Sequence, residues 1–238
     1  MLNIDMTLTT DDQNLITASL SRGWILEPEA KALLKDRGFD VPAGLVTSEP
    51  DQAVAFMKSC QGPVVIKAVS EKILHKTEAN AVVTGIRDGN ALKAEMTRLL
   101  CLDGCRTVLV EEMVAKGIEV FLGAKNDLQF GPVVILGVGG TAVEVYNDTA
   151  IRMAPVTEKQ VEGMVRSLKG RGLIQGFRGH PGVNMAVLGK TVAAFSRFSM
   201  ALEPNLHSID LNPVICTPNR CVAVDARIML KPASFENE

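Results

Sequence analysis

The sequence predicts a mixed α/β (α+β) protein, because segments with helical apolar spacing alternate along it with short apolar strands. Val64-Val65-Ile66-Lys67 and Pro132-Val133-Val134-Ile135-Leu136-Gly137 have the β-branched, uncharged character of buried strands. Residues 27–35 carry good helix formers instead, and 90–100 have the apolar spacing of a helix. At 238 residues, 47% hydrophobic and 22% charged, the chain can bury a sizeable core in one or two domains.

The elements follow in order. Thr10-Asp11-Asp12-Gln13 reads as a helix entry, and residues 27–35 form a helix with Pro28 in the first turn and Gly38 as its stop. Residues 41–46 are extended, 50–58 a helix, 64–68 a buried strand, 81–86 its hairpin partner and 90–100 a helix. A second block opens with strands at 107–114, 119–124 and 132–137. The last runs into Gly137-Val138-Gly139-Gly140 and then Val143-Glu144-Val145-Tyr146. A helix at 158–168, a glycine-rich turn at 170–179 and a helix at 183–200 precede two closing strands, 207–215 and 222–228. The tail after Leu230 is a frayed end.

Composition excludes several classes. A net charge of −2 supplies no basic field for nucleic acid or an anionic membrane, and 4% aromatics offer few stacking platforms for bases. No apolar run is long enough to span a bilayer, and the N-terminus lacks the basic and apolar regions of a secretory signal. Of the five cysteines, Cys101 and Cys105, like Cys216 and Cys221, miss the close spacing of a zinc site, and His180 and His207 show no ligand spacing. Reduced thiols packed as small hydrophobes in the cytoplasm are the expectation.

Four places carry chemistry. Lys67 is expected at the end of its strand, a compact charge suited to phosphate, with a snorkelling lysine as the plain alternative. His75 follows in a polar loop beside Lys76; histidine is readily recruited as a proton carrier or phosphate acceptor, although a loop histidine satisfied by backbone is common. Glu111-Glu112-Met113-Val114 ends a strand in a turn closed by Gly117, where backbone groups can read an adenine edge and a carboxylate a ribose hydroxyl. Glu119 opens the next strand, and Gly137-Val138-Gly139-Gly140 offers amides to an anion without matching a dinucleotide fingerprint or a P-loop. Finally, Asp210 and Asn212 share one strand face and Asp225 and Arg227 another; in a hairpin, Asn212 and Asp225 would lie side by side and suit Mg²⁺. A polar outer face on that hairpin is the competing reading.

Together these segments, with Phe130-Gly131-Pro132-Val133 and Asp148 to Arg152-Met153-Ala154-Pro155, resemble the ATP-grasp subunit of ADP-forming acyl-CoA synthetases. That family is typified by the β subunit of ADP-forming acetyl-CoA synthetase and is related to succinyl-CoA synthetase. The resemblance covers residues 24–230. It implies a two-lobed ATP-grasp fold clamping ATP, with residues 22–106 as the N-terminal lobe, 1–21 and 107–232 as the core lobe and 233–238 as a tail. It implies Lys67 on the nucleotide phosphates, Glu111 to Val114 on adenine and ribose, and Glu119 near the phosphates. Asn212 and Asp225 match the Mg²⁺ ligands, His75 a histidine that relays phosphate, and Asp210 an acid that orients phosphohistidine.

The implied activity is that of an acid–thiol ligase interconverting acyl-CoA, ADP and phosphate with carboxylate, CoA and ATP. CoA and the acyl substrate would sit on a CoA-binding α subunit, in an α2β2 heterotetramer. The chain departs from the family where Thr77-Glu78-Ala79-Asn80-Ala81 replaces a glycine-rich stretch; Asn80 is the residue there best able to take left-handed geometry. Two rivals are a stand-alone ATP-grasp carboxylate–amine ligase, which needs no phosphohistidine, and a nucleotide-sensing or assembly subunit without turnover.

Overall fold

The computed structural model describes residues 6–74, 76, 78–140, 148–177 and 179–231. Contacts divide the chain into a larger unit (residues up to Ile25, Glu29–Val41 and from Lys116 on) and a smaller one, Leu26–Pro28 with Pro42–Ala115. The resemblance implies a lobe of 22–106 in place of the smaller unit. Residues 29–41 join the larger unit because Ala30, Leu33, Leu34 and Phe39 belong to its core.

The larger unit is built on an antiparallel sheet. Its strands run in the order β1 (Trp24–Ile25), β13 (Arg227–Leu230), β11 (Leu206–Cys216), β6 (Ile118–Asp127), β7 (Gly131–Val138) and β8 (Thr149–Met153), with β12 (Cys221–Ala223) also paired to β11. Strict alternation sorts β6: Val120, Leu122 and Ala124 enter the core, and Phe121 and Gly123 take the other face. On the core side they share one buried cluster with Val134 and Leu136 of β7 and with Phe195 and Phe198 of helix α7 (Met185–Ala201). Two shorter helices, α1 (Thr10–Ser19) and α5 (Glu158–Ser167), each begin with a capping box, at Thr9 and Thr157. Helix α2 (Glu27–Asp36) completes this unit with all but its first two residues, Glu27 and Pro28.

The smaller unit is a sheet in the order β2 (Gly44–Thr47), β5 (Cys105–Glu112), β3 (Val64–Ser70) and β4 (Val82–Ile86), again antiparallel throughout. Helices α3 (Pro50–Ser59) and α4 (Gly89–Leu100) cover one face. Leu92, Met96 and Leu99 recur at helical spacing on α4 and are fully buried with Val64, Ile66 and Ala68 of β3. The residues between, Val65 and Lys67, are thereby turned to the face opposite α3 and α4.

Four expectations are corrected. The strand expected at 222–228 is broken into β12 and β13, because Pro213 on β11 has no N–H and the Val224 amide turns to the Pro213 carbonyl at 3.0 Å. The glycine-rich turn at 170–179 contains helix α6 (Arg171–Gln175) and β9 (Gly176–Phe177), which pairs with β10 (His180–Pro181). Lys67 lies in mid-strand, because β3 keeps pairing with β5 as far as Ser70. Cys216 and Cys221, expected as reduced thiols, form a disulfide: the turn between them sets them in direct register with Cα atoms 4.1 Å apart. Val143 to Tyr146 lies outside the described residues. Among the described residues no helix is long and apolar enough to cross a membrane.

Candidate functional site

Lys67 is 4% exposed, and a buried ammonium requires partners. Its Nζ donates to Glu27 Oε1 at 2.5 Å and lies 3.1 Å from Glu111 Oε2. Glu111 comes from the neighbouring strand β5, where Lys67 pairs with Leu109 and Val65 with Glu111, so the two charges are diagonal neighbours on one face. The second oxygen of Glu27 accepts from Lys76 Nζ, also at 2.5 Å. The smaller unit therefore gathers two lysines and two glutamates on the side of its sheet away from α3 and α4.

Lys76 closes the loop that carries His75; His75 itself lies outside the described residues. The Ala81 N–H donates to the Lys76 carbonyl at 2.7 Å, and Asn80 has φ +49, the left-handed geometry its side chain tolerates. At the far end of β5 the Glu112 amide bonds the Ala43 carbonyl at 2.9 Å and the Met113 amide bonds Pro63 at 3.0 Å. Those bonds pin the strand end, with the Met113 side chain exposed and Val114 half-buried.

In the larger unit, Glu119 is exposed at the start of β6, and its carbonyl accepts the Gly139 N–H at 2.7 Å. The approach is so close that a Cβ on Gly139 would lie 2.7 Å from the Glu119 carbonyl carbon. This explains the glycine better than an anion nest alone does. Glu119, Gly139, Leu173, Phe177 and Pro181 border a cavity of about 370 Å³.

The closing hairpin keeps one register across its break. Asp210 pairs with Arg227 and Val214 with Ala223, so the positions midway, Asn212 and Asp225, face each other. Asn212 is exposed and Asp225 half-buried. Asp210 bonds Arg227 Nη2 at 3.0 Å. The loop at 224–226 is pinned from α2, where Lys31, 5% exposed, donates to the Val224 carbonyl at 2.6 Å. One carboxylate and one amide oxygen on a pinned hairpin are hard donors of the kind Mg²⁺ takes, with phosphate and water completing its shell. No group of three His, Cys, Asp or Glu positioned for a metal occurs among the described residues.

Glu27 and Lys31 carried no functional signal in the sequence. Four apart at the head of a helix, they read as a local helix pair, yet their partners lie 40, 49 and 193 positions away. Asp148 also has a structural task, its carboxylate accepting the Lys169 and Gly170 amides at 2.8 and 2.7 Å.

Comparison with known proteins gives a consistent result. Residues 17–230 match the model of the ATP-grasp domain. The chain is 34% identical to acetate–CoA ligase (ADP-forming) I subunit β of Pyrococcus furiosus, over 87% of this chain and 91% of that protein. It superposes with a TM-score of 0.85 on acetyl-coenzyme A synthetase 1 of Ca. Korarchaeum cryptofilum, solved with coenzyme A and Ca-AMPCP, at 30% identity over 92% of this chain and 99% of that one. A second structure of that enzyme holds coenzyme A and Mg-AMPPCP with its phosphohistidine segment pointing towards the nucleotide site (TM-score 0.79, 30% identity, covering 92% and 99%).

Proposed function

The chain belongs to the ATP-grasp domain family, in the branch of the ADP-forming acetyl-CoA synthetase β subunits, and from that premise we propose that it is the nucleotide-binding subunit of an ADP-forming acyl-CoA synthetase. The enzyme interconverts acyl-CoA, ADP and phosphate with carboxylate, CoA and ATP. A separate α subunit carries CoA and the acyl group, and the assembly is α2β2.

The observation that carries the reading is the register setting Asn212 across from Asp225. These two hold Mg²⁺, which when bound neutralises polyphosphate charge. Lys67 meets the nucleotide phosphates as a cation carried on a rigid strand. The turn of Glu111, Glu112, Met113 and Val114 reads adenine and ribose, with Glu111 also 3.1 Å from Lys67. Glu119 lies near the phosphates. His75, whose neighbour Lys76 is anchored on Glu27, accepts the phosphoryl group as a neutral imidazole, and Asp210 orients it. Such a relay is needed because nucleotide and CoA sites on different subunits cannot share one transition state. Phosphoryl transfer asks the protein for positioning and charge compensation, which these residues supply.

The test is label transfer. The purified chain should bind Mg-ATP without making acyl-CoA, and together with its α subunit it should take γ-phosphate as an acid-labile label that His75→Ala abolishes. Wild-type synthetase turnover by His75→Ala would refute the relay.

A further inference from the structure

Glu27 is the only residue that bridges the two lysines, among the bonds described above, and it uses a separate oxygen for each. Oε1 accepts from Lys67 and Oε2 from Lys76, both at 2.5 Å, and the Glu27 side chain is 2% exposed. Ammonium groups on the two oxygens of one carboxylate sit within a few ångströms of each other. Without the carboxylate, two such cations, 5% and 13% exposed, would repel.

The two lysines differ in their supports. Lys67 is held in the middle of β3 by pairing on both sides. Lys76 belongs to the loop joining β3 to β4, directly after His75. Among the described residues, the loop's backbone is tied beside β3, where the Lys72 N–H donates to Ser70 Oγ at 3.1 Å, and at its far end, where Ala81 bonds Lys76 and Arg98 Nη1 bonds the Asn80 carbonyl at 3.0 Å. The Glu27 carboxylate is what joins the Lys76 side chain to the sheet.

We propose that Glu27 is a positioning residue: a staple that fixes the His75 loop to β3 by holding Lys67 and Lys76 on one carboxylate. Its consequence for catalysis rests on the function proposed above, because the loop it fixes is the one that would deliver the phosphate acceptor. A simpler role also exists, since an acidic residue in the first turn of α2 stabilises the positive end of the helix. Length separates the two. Aspartate keeps the charge for the helix but is one methylene too short to span both lysines.

The experiment compares Glu27→Gln, Glu27→Asp and Lys76→Met in the full chain, by backbone hydrogen exchange and by calorimetric binding of Mg-ADP. The staple predicts that all three speed exchange of the amides at 71–81 by about tenfold or more, the scale of a lost charge-assisted hydrogen bond, while β5 amides stay protected. Lys76→Met leaves the Lys67–Glu27 pair intact, so it reads the loop even if a Glu27 variant is poorly folded. Wild-type exchange in Glu27→Asp would overturn the staple in favour of the helix-end role, and wild-type exchange in Lys76→Met would overturn it outright. Wild-type protein that fails to bind Mg-ADP would instead remove the nucleotide reading and leave the exchange result standing.

Discussion

Lys31 donates a 2.6 Å hydrogen bond to the carbonyl of Val224, the residue before Asp225. A buried cation on α2 thus sets the backbone that presents the candidate Mg²⁺ carboxylate. Lys31→Met keeps the length of the side chain and removes the donor, losing a hydrogen bond from a charged group worth about 1.5–3 kcal/mol. The expected outcome is a several-fold higher Mg²⁺ requirement for nucleotide binding, smaller than the loss in Asp225→Asn, measured by titrating Mg²⁺ at fixed ADP. An unchanged Mg²⁺ requirement would show that the 224–226 loop does not depend on Lys31.

Lys67→Met should affect stability as well as binding. It leaves the buried Glu27 and Glu111 carboxylates without the ammonium they share, and removing one partner of a buried pair costs about 3–5 kcal/mol. Urea denaturation at neutral pH checks this, and a deficit below about 1 kcal/mol would contradict the charge explanation.

Gly139→Ala tests the contact between the glycine turn and β6. The added Cβ would fall 2.7 Å from the Glu119 carbonyl carbon and 2.9 Å from its Cβ, so Glu119 must move. Destabilisation of about 1–3 kcal/mol, typical of overpacking, is expected together with weaker nucleotide binding. Gly163→Ala, where a Cβ meets nothing within 4 Å, is the matched control and should not lose stability.

Asp12 provides a pH dependence remote from the site. Burial by itself would raise its carboxyl pKa, but hydrogen bonds from Arg37 and Thr9 outweigh burial and hold it below the ordinary value. A depressed folded pKa means that this stability is fully present above the unfolded value of about 3.9 and is lost as pH falls through the folded one. Asp12→Asn should therefore cost about 3 kcal/mol at neutral pH, where it strands the buried Arg37. The gap to wild type should narrow below about pH 4. A constant gap from pH 7 to pH 3 in chemical denaturation would contradict the assignment.

Much of the architecture was legible because its causes are local. The helix starting at Glu27 with Gly38 beyond its end, the α4 stripe of Leu92, Met96 and Leu99, and the alternation of β6 follow from backbone periods of 3.6 and 2 residues. The hairpin bringing Asn212 opposite Asp225 was legible for the same reason: polar residues alternate on both strands around a short turn. Asn80 was recognisable as the left-handed residue because few side chains accept that geometry.

Other features have no local cause. Whether Lys67 surfaced at a strand end or lay buried in mid-strand depended on how far β5 continues beside it. Whether Glu27 and Lys31 formed a plain helix pair or reached distant sites depended on what packs against each side of α2. Cys216 and Cys221 were visible as a spaced pair, but only the register of β11 against β12 put their sulfurs together. By itself the sequence determined which segments are helix or strand, which faces are apolar, and the ordered motifs that mark the family. Only the tertiary structure decided which charges meet, because a buried ion pair between residues tens of positions apart is set by strand register and helix docking, which local periodicity does not encode.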